Sequence, residues 1–349
     1  MNKKTESKKE WYTKWWGILI IIILFLSTVS LINSKNTFQE TNDSNNINIT
    51  KNTATENDIK IDGFLRFTSD DWGFSVLLPE VPKENILDME ELKIYNFQVH
   101  KLIDGKDSIQ YNIFYSDIKG GKILDSDSIK IFLDNHVSGK ASVNSGKLLE
   151  ENNMIFQGFP AKEYIFIDEM QNIEMIHKGV VFIIDGDAIE LSVIYPSTVD
   201  EKTAEYENFK RSFKLGPIKI PLSQEYWSNK VIKLKLPSSW EKSNSSQGNR
   251  IITYANNAGH SIELYEVKFN NQSVSCSDLR KEVGSKNIDS KGYMYRVFPN
   301  QEYNLNMKMI LKCIEKNNQS FVLSGKAPEK TFFRSQLIFE EILGSFSFE

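Results

Sequence analysis

Histidine is the first residue type to test for chemistry, and the chain has four: His100, His136, His177 and His260. None of them is paired with a second histidine four residues away, which is the spacing of a helical zinc site. A zinc site would therefore need residues that are distant in the sequence to converge. We interpret the four as isolated histidines in strands, on a helix face and beside a turn.

Two acidic motifs suggest calcium, and both fail as calcium loops. Asp125-Ser126-Asp127 opens like such a loop, but Lys130 stands where the loop needs glycine and His136 where it needs glutamate. The motif is typical of a helix N-cap, and we expect Gly139 to end that helix. Asp185-Gly186-Asp187 is typical of a hairpin turn between two strands.

Motifs for phosphate binding and nucleophilic catalysis are also incomplete. The Gly-Lys pairs at Gly139 and Gly146 lie seven residues apart where a phosphate-binding loop needs five, and Leu148 replaces its Ser or Thr. The segment Gly259–Glu263 lacks the second glycine of a nucleophile elbow. We predict no catalytic, cofactor-binding or metal-binding residues and no enzyme, although a Ser-His-Asp triad formed by long-range convergence stays open.

The segment that organises the chain is Trp15–Ile32, eighteen residues without a charge. As a helix it reaches ~27 Å, enough for the hydrocarbon core of a bilayer. Aromatic rings collect at its N-terminal end, as they do at the headgroup level. Five lysines precede it and only Lys35 follows closely. The positive-inside rule therefore places residues 1–14 in the cytoplasm and everything after Ile32 outside.

A cleavable signal peptide is the alternative to this anchor, because Thr28-Val29-Ser30 offers small residues to a peptidase. The tryptophan belt and the long basic start favour a retained anchor. Residues 33–62 are rich in Asn and Thr and have no apolar period, which predicts a disordered tether. In either case we expect the bulk of the chain to be extracytoplasmic.

Composition excludes some functions and limits others. The net charge is −4, and the first fourteen residues hold five Lys and two Glu, so the remainder carries −7. No basic stripe appears, which argues against a nucleic-acid partner. Cys276 and Cys313 could form a disulfide in an oxidising compartment. One lies at a helix start and the other in an alternating strand, and on this placement we expect them to be unpaired.

Residues 63–349 contain alternating strands with few helices, which predicts an α+β class. In the first part, Trp72–Pro79, Leu92–Ile103 and Ile173–Ile184 have the pattern of strands. An amphipathic helix follows Asp127, and a second helix over Asp200–Arg211 ends at Ser212-Phe213. Pro79 and Pro82 end the strand Trp72–Pro79, because proline cannot donate to a neighbouring strand.

The second part repeats this plan. Leu191-Ser192-x-x-x-Pro196 matches Leu323-Ser324-x-x-x-Pro328, and each match is followed sixteen or seventeen residues later by Ser-Phe, at Ser212 and Ser345. We predict a tandem duplication with its boundary near Gly216-Pro217. The domains are then 63–216 and 217–349, each an antiparallel sheet flanked by helices, behind the tail 1–14, the transmembrane anchor 15–32 and the tether 33–62.

Several short motifs resemble the Mog1/PsbP-like superfamily. They are Asp71–Pro79, Gly158-Phe159-Pro160 and Phe209–Phe213 in the first half, and Leu234–Trp240 and Gly344–Phe346 in the second, which lacks the Gly-x-Pro step. The resemblance implies two tandem PsbP-like domains. It also implies a family of binding proteins, such as photosystem assembly factors, a Ran-binding protein and chaperones of secreted effectors, without a shared catalytic set.

We therefore predict a membrane-anchored, extracytoplasmic binding protein that engages another envelope or secreted protein and does not catalyse a reaction. Two alternatives stay open: an extracytoplasmic hydrolase built on unrecognised convergent residues, and a small-ligand-binding ectodomain. An enzyme would need a pocket with converging titratable groups. A binding module would need an exposed apolar patch or an open sheet edge.

Overall fold

The computed structural model describes residues 63–88, 92–103, 107–118, 126–143, 145–200, 205–228, 232–238, 240–243, 250–255, 260–266, 268–269, 272–300, 305–317 and 319–348. The predicted cytoplasmic tail, the anchor Trp15–Ile32 and the tether lie outside these residues. Within the ranges given, none of the helices combines the length and the apolar character needed to cross a bilayer.

The first half of the folded chain, residues 63–216, contains two antiparallel sheets and two helices. Its elements are β1 (Leu65–Ser69), β2 (Phe74–Leu78), β3 (Lys83–Asp88), β4 (Leu92–Ile103), β5 (Asp107–Ile118), α1 (Ser126–Val143), β6 (Lys147–Phe156), β7 (Phe159–Met170), β8 (Ile173–Ile184), β9 (Asp187–Pro196), α2 (Tyr206–Ser212) and β10 (Lys214–Leu215). The main sheet has the order β3-β4-β5-β9-β8-β7-β6, and the small sheet has the order β1-β2-β10.

The main sheet of the first half is covered on both faces. Alternate residues of β5, from Ile109 to Tyr115, are buried toward the small sheet and α2. On the opposite face, α1 packs Leu133 and Val137 against Phe166 and other residues of the sheet. Strands buried on both sides are continuous apolar runs, and β9 and the second half of β8 have this character and are buried.

The second half, residues 217–349, has the same kinds of layers. Its elements are β11 (Leu222–Ser228), β12 (Ile232–Pro237), β13 (Glu241–Ser243), β14 (Arg250–Ala255), β15 (Ser261–Glu266), β16 (Lys268–Phe269), β17 (Gln272–Ser273), α3 (Cys276–Val283), a 3-10 turn (Ser285–Asn287), β18 (Met294–Asn300), β19 (Leu305–Lys316), β20 (Gln319–Pro328), α4 (Phe332–Ser345) and β21 (Ser347–Phe348). Its main sheet has the order β13-β14-β15-β20-β19-β18, and its first small sheet has the order β11-β12-β21.

The Ser-Phe motif that closes each half does the same physical work in both. Ser212 Oγ accepts a hydrogen bond from Leu77 N at 2.9 Å and donates to Phe209 O. Ser345 Oγ accepts from Lys235 N at 2.8 Å and donates to Ile342 O. In each half the serine hydroxyl thus links the C-terminal turn of a helix to a neighbouring strand. The strand residue that it contacts lies two positions before the proline at which the strand ends. The phenylalanine that follows is buried in each case.

The predicted α+β class is confirmed, whereas three local expectations are wrong. Helix α2 begins at Tyr206 and not at Asp200. The domain boundaries and the duplication stay predictions. Helix α1 does not end at Gly139 but continues to Val143. The glycine costs the helix ~1 kcal/mol, but the next turn buries Lys140 and Ala141 against the sheet. The helix ends instead where Gly146 N bonds Ala141 O after Ser145, which has a positive φ.

The expectation that the cysteines are unpaired is also wrong. Cys276 and Cys313 form a disulfide, with their Cα atoms 5.6 Å apart. The pairing follows from tertiary structure, because α3 lies across β18 and β19 and brings its first residue over Cys313. Helix start and strand position were both predicted, but no local pattern shows which helix crosses which strand.

We predict that this disulfide stabilises the second half by closing a long loop. The two cysteines are 37 residues apart in the sequence, and the chain-entropy model gives a stabilisation of about 3–4 kcal/mol for a loop of that size. Urea unfolding with and without dithiothreitol measures it. The double variant Cys276→Ser/Cys313→Ser is the control and should not respond to the reductant. Identical midpoints for the oxidised and reduced wild type would contradict the prediction.

Candidate functional site

Three of the four histidines contact carboxylates, so the interpretation of isolated histidines is wrong for those three. The nitrogen-to-oxygen distances are 2.6 Å for His136 and Glu190, 3.0 Å for His177 and Asp168, and 3.4 Å for His260 and Asp185. His100 instead lies 2.9 Å from the side-chain nitrogen of Gln98. Over the described ranges, no three His, Cys, Asp or Glu side chains are grouped so that they could hold a metal ion.

A buried polar cluster joins the two halves of the folded chain, and we name it the Arg334 cluster. It contains residues from the first half and from the second: Trp72, Tyr115, Asp185, Asp187, His260, Thr331, Arg334 and Ser335. The predicted turn Asp185-Gly186-Asp187 is confirmed as the β8–β9 turn, and both of its aspartates belong to the cluster. A charge cluster of this kind is expensive to bury unless its members are paired.

Arg334 is the centre of the cluster, and its side chain is 1% exposed. The guanidinium donates to Trp72 O at 2.9 Å and to Asp185 Oδ2 at 3.5 Å. Burial alone would lower the pKa of Arg334, but Tyr115, Asp185 and Asp187 raise it, so the side chain stays charged. Tyr115 in turn donates to Asp187 at 2.5 Å.

Ser335, His260 and Asp185 are arranged in a row like that of a hydrolase triad. Ser335 Oγ lies 2.7 Å from His260 Nδ1, and His260 Nε2 lies 3.4 Å from Asp185 Oδ2. In the catalytic arrangement the serine faces Nε2 and the aspartate faces Nδ1, so the ring is used in reverse here. Ser335 and His260 are each 1% exposed. Both side chains are therefore shielded from solvent in this structure.

The chain that connects the halves also packs against this cluster. Gly216 N donates to Gly73 O at 2.8 Å, and Ile218 N donates to Arg334 O at 2.7 Å. Gly73 has φ +58°, and a Cβ there would lie 2.7 Å from Gly216 O. Only glycine fits, for conformational and for steric reasons together. Lys219 completes the contact through an ion pair with Asp70 at 2.9 Å.

A second buried cluster lies between α1 and the main sheet of the first half. Glu190 of β9 accepts from Lys140 of α1, contacts His136 Nε2 at 2.6 Å and accepts from Tyr164 at 2.7 Å. Burial would raise the pKa of Glu190, but Lys140 and His136 hold it well below its usual value. Lys140 also lies over the ring of Phe114. The cluster therefore fixes α1 on the sheet through a satisfied ion pair.

The second half contains a comparable group on its own main sheet. Glu263 of β15 accepts from Lys326 of β20 and from the hydroxyl of Tyr265. Each half therefore contains a glutamate, a lysine and a tyrosine in contact, but at different strand positions. Because the protein itself supplies the hydrogen-bond donors, both groups are explained by their structural role and do not require a ligand.

Exposed strands lie elsewhere, at the edges of the main sheets. The end strands are β3 and β6 in the first half, and β13 and β18 in the second. Strand β6 is ten residues long and mostly exposed, with Leu149 at 48% and Ile155 at 67%. Strand β18 exposes Val297 at 46%. An end strand presents backbone donors and acceptors that a further strand can use.

Sequence reasoning missed Arg334 and Glu190, although a signal for each was present. Arg334 lies in the apolar run Phe332–Phe339, at helical spacing from the buried Ile338. Glu190 interrupts the apolar strand Ala188–Val193. A charge at a position that the period assigns to the core predicts a buried partner, because an unpaired charge there is too costly.

No protein-family model matches the sequence, and no curated protein matches it. Solved structures are similar to parts of the chain. PsbP (CyanoP) of the cyanobacterium Synechocystis is 12% identical, covers 45% of this chain and 95% of its own, and has a TM-score of 0.32. LpqN of Mycobacterium tuberculosis, described as involved in cell envelope biogenesis, is 9% identical, with coverages of 40% and 86% and a TM-score of 0.25.

MucB in complex with MucA is similar over a longer part of the chain. It is 9% identical and covers 74% of this chain and 89% of its own, with a TM-score of 0.18. Identities and TM-scores of this size do not establish a family. Assignment of the chain to the PsbP-like proteins therefore remains a proposal.

We predict that Arg334→Met lowers the free energy of unfolding by about 3–5 kcal/mol, because it leaves buried carboxylates without their cation. Chemical denaturation measures the loss. Arg211→Met is the matched control: its side chain is 78% exposed, and the expected change is within about 0.5 kcal/mol. Equal, small effects of the two substitutions would show that the cluster does not hold the halves together.

Glu190 should make stability depend on pH in the acidic range. Its pKa is lowered in the folded state from an ordinary value of 4.5, so its stabilising effect is complete above that value and is lost as pH falls toward the native pKa. The free-energy difference between wild type and Glu190→Gln should therefore shrink between about pH 5 and about pH 2. A difference that does not change with pH would contradict the assignment.

Proposed function

We propose that this protein is a membrane-anchored, extracytoplasmic binding protein with two tandem PsbP-like domains, and that it engages another protein of the cell envelope. The apolar segment Trp15–Ile32 and the lysines before it support the anchor and its orientation. The tether, residues 33–62, would carry the folded part away from the membrane surface.

The common plan of the two halves supports the duplication. Both main sheets place the three strands that precede the helix α1 or α3 in one block and the later strands in reverse order beside it. Both halves also close with a serine that bonds a helix end to a small sheet. A duplicated unit provides two related surfaces, which raises the effective concentration of one contact once the other has formed.

The observation that carries the proposed protein-binding function is the open end strand β6. Among the described strands it pairs only with β7, it is ten residues long, and most of its side chains are exposed. Strand addition at such an edge gives affinity through backbone hydrogen bonds and specificity through alternate side chains. Leu149 and Ile155 offer apolar contacts to the side chains of an added strand.

An extracytoplasmic hydrolase is the second candidate, and the Arg334 cluster is the observation that bears on it. Ser335, His260 and Asp185 are close enough for a triad, but Asp185 already accepts from Thr331 and pairs with Arg334. A catalytic aspartate instead orients the histidine and remains available to the imidazolium. The geometry therefore favours a structural role for this triad.

Photo-cross-linking of the full chain in living cells tests the proposal. A photoreactive amino acid replaces Asn152 of β6, and a matched variant carries it at Arg211 of the helix α2, away from any sheet edge. Both positions are exposed. We expect a discrete protein adduct from the β6 position and none from the control, because only the former borders an open edge.

Two results together would contradict the proposed binding function. Protein adducts would be missing from β3, β6 and β18 alike, while purified protein would hydrolyse a generic ester or peptide. Loss of that turnover in Ser335→Ala, with an unchanged melting temperature, would establish the hydrolase in place of the binding protein.

A further inference from the structure

The charge of the folded chain is divided unequally between its halves. Residues 63–216 contain 16 Lys and Arg against 26 Asp and Glu, a net charge of −10. Residues 217–349 contain 18 against 13, a net charge of +5. Residues 63–349 therefore have a negative net charge as a whole, although the second half alone has a positive net charge. A surface in that half can attract an acidic partner even though the protein as a whole is acidic.

Basic side chains of the second half meet at a groove beside β18. The groove has a volume of about 680 Å³ and lies between α3 with its following 3-10 turn and the outer edge of β18. Its basic residues are Lys286, Arg296 and Lys308, and its acidic residues are Glu282 and Asp289. Tyr295 and Val297 supply apolar surface at the strand itself.

The charges of the groove are not balanced within the described structure. Asp289 is occupied, because its carboxylate accepts from Lys291 N, Tyr293 N and the hydroxyl of Tyr295. Lys286 and Arg296 are exposed and form no ion pair with a described residue. Lys308 lies over the rings of Tyr295 and Phe332, at 5.5 and 4.9 Å, and has no carboxylate partner in the same part of the chain. The groove therefore has a net positive charge.

The strand at the groove is open along a short segment. Strand β18 pairs with β19 on one side, and on the other side Met294 forms a single bridge with Ile288. Beyond that bridge, Tyr295–Phe298 meets no further described strand. Pro299 has no N–H group and limits the edge at its far end. An added strand would thus be short and would lie directly beside Arg296.

We propose that the groove between α3 and β18 binds an extended acidic segment of a protein partner, which adds as a strand to Tyr295–Phe298. Carboxylates of the segment face Lys286 and Arg296, and its apolar side chains contact Tyr295 and Val297 on the other face of the strand. Strand addition requires a peptide backbone, which distinguishes this occupant from an anionic lipid surface. This inference rests on the proposed function and names the chemistry of the partner.

A peptide titration tests the inference with the full chain in nanodiscs of neutral lipid. The probe is a fluorescent peptide of about ten residues with alternating Asp and Val, and the comparison peptide has Lys in place of Asp. We expect the acidic peptide alone to bind, and to bind more weakly as ionic strength rises. Lys286→Glu and Arg296→Glu should each weaken binding at least about tenfold, because like charges then face the segment.

Lys235→Glu is the matched control, because Lys235 is an exposed lysine on β12 outside the groove. The Lys235→Glu variant should bind the acidic peptide with the affinity of the wild type. Arg296→Gln gives a milder variant if the charge reversal fails to fold. Equal affinity in all variants would place the peptide elsewhere and overturn the inference, while leaving cross-linked partners in cells intact. Binding of phosphatidylglycerol vesicles through the same residues, without peptide binding, would overturn it in favour of a membrane surface.

Discussion

Burial of the Arg334 guanidinium is the constraint on which the relation between the two halves depends. A charged group that is 1% exposed must have its partners in place. Those partners come from the β1–β2 turn and the β8–β9 turn of the first half, through Trp72 and Asp185. Gly73 and Gly216 then have to touch, which fixes the path of the connecting chain. One buried charge thereby determines several backbone positions at once.

The same rule accounts for the titratable groups that are buried in the interior. Glu190 has three donors of its own, and Glu263 has two. Asp185 is engaged by Thr331 and Arg334. An active site must leave some of its polar groups unsatisfied until substrate arrives, whereas these carboxylates are satisfied by the fold. A perturbed pKa here reports structural pairing, which is the alternative cause of such shifts.

The sequence predicted those features that have a local period or a local turn. Alternation indicated β4, β8 and the α+β class, Cys276 was predicted at a helix start, and Asp185-Gly186-Asp187 was predicted as a turn. Features that depend on which elements cross were not accessible. The disulfide needed the position of α3 over Cys313, and the true end of α1 needed the packing of Lys140 on Glu190. Strand β3 was missed because its exposed side chains carry no burial pattern.

Function on this scaffold follows from where polar groups remain unpaired. The buried carboxylates of the interior clusters are paired within the fold, whereas at the surface the end strands keep free backbone edges and the second half keeps cations without a described ion pair. These two properties coincide beside β18, at Lys286 and Arg296. Strand β6 has a longer edge, but Lys162 of its neighbour already pairs with Glu151 and Asp134. An acidic segment therefore has its best electrostatic match on the second half, while β6 better suits a segment chosen by apolar contacts.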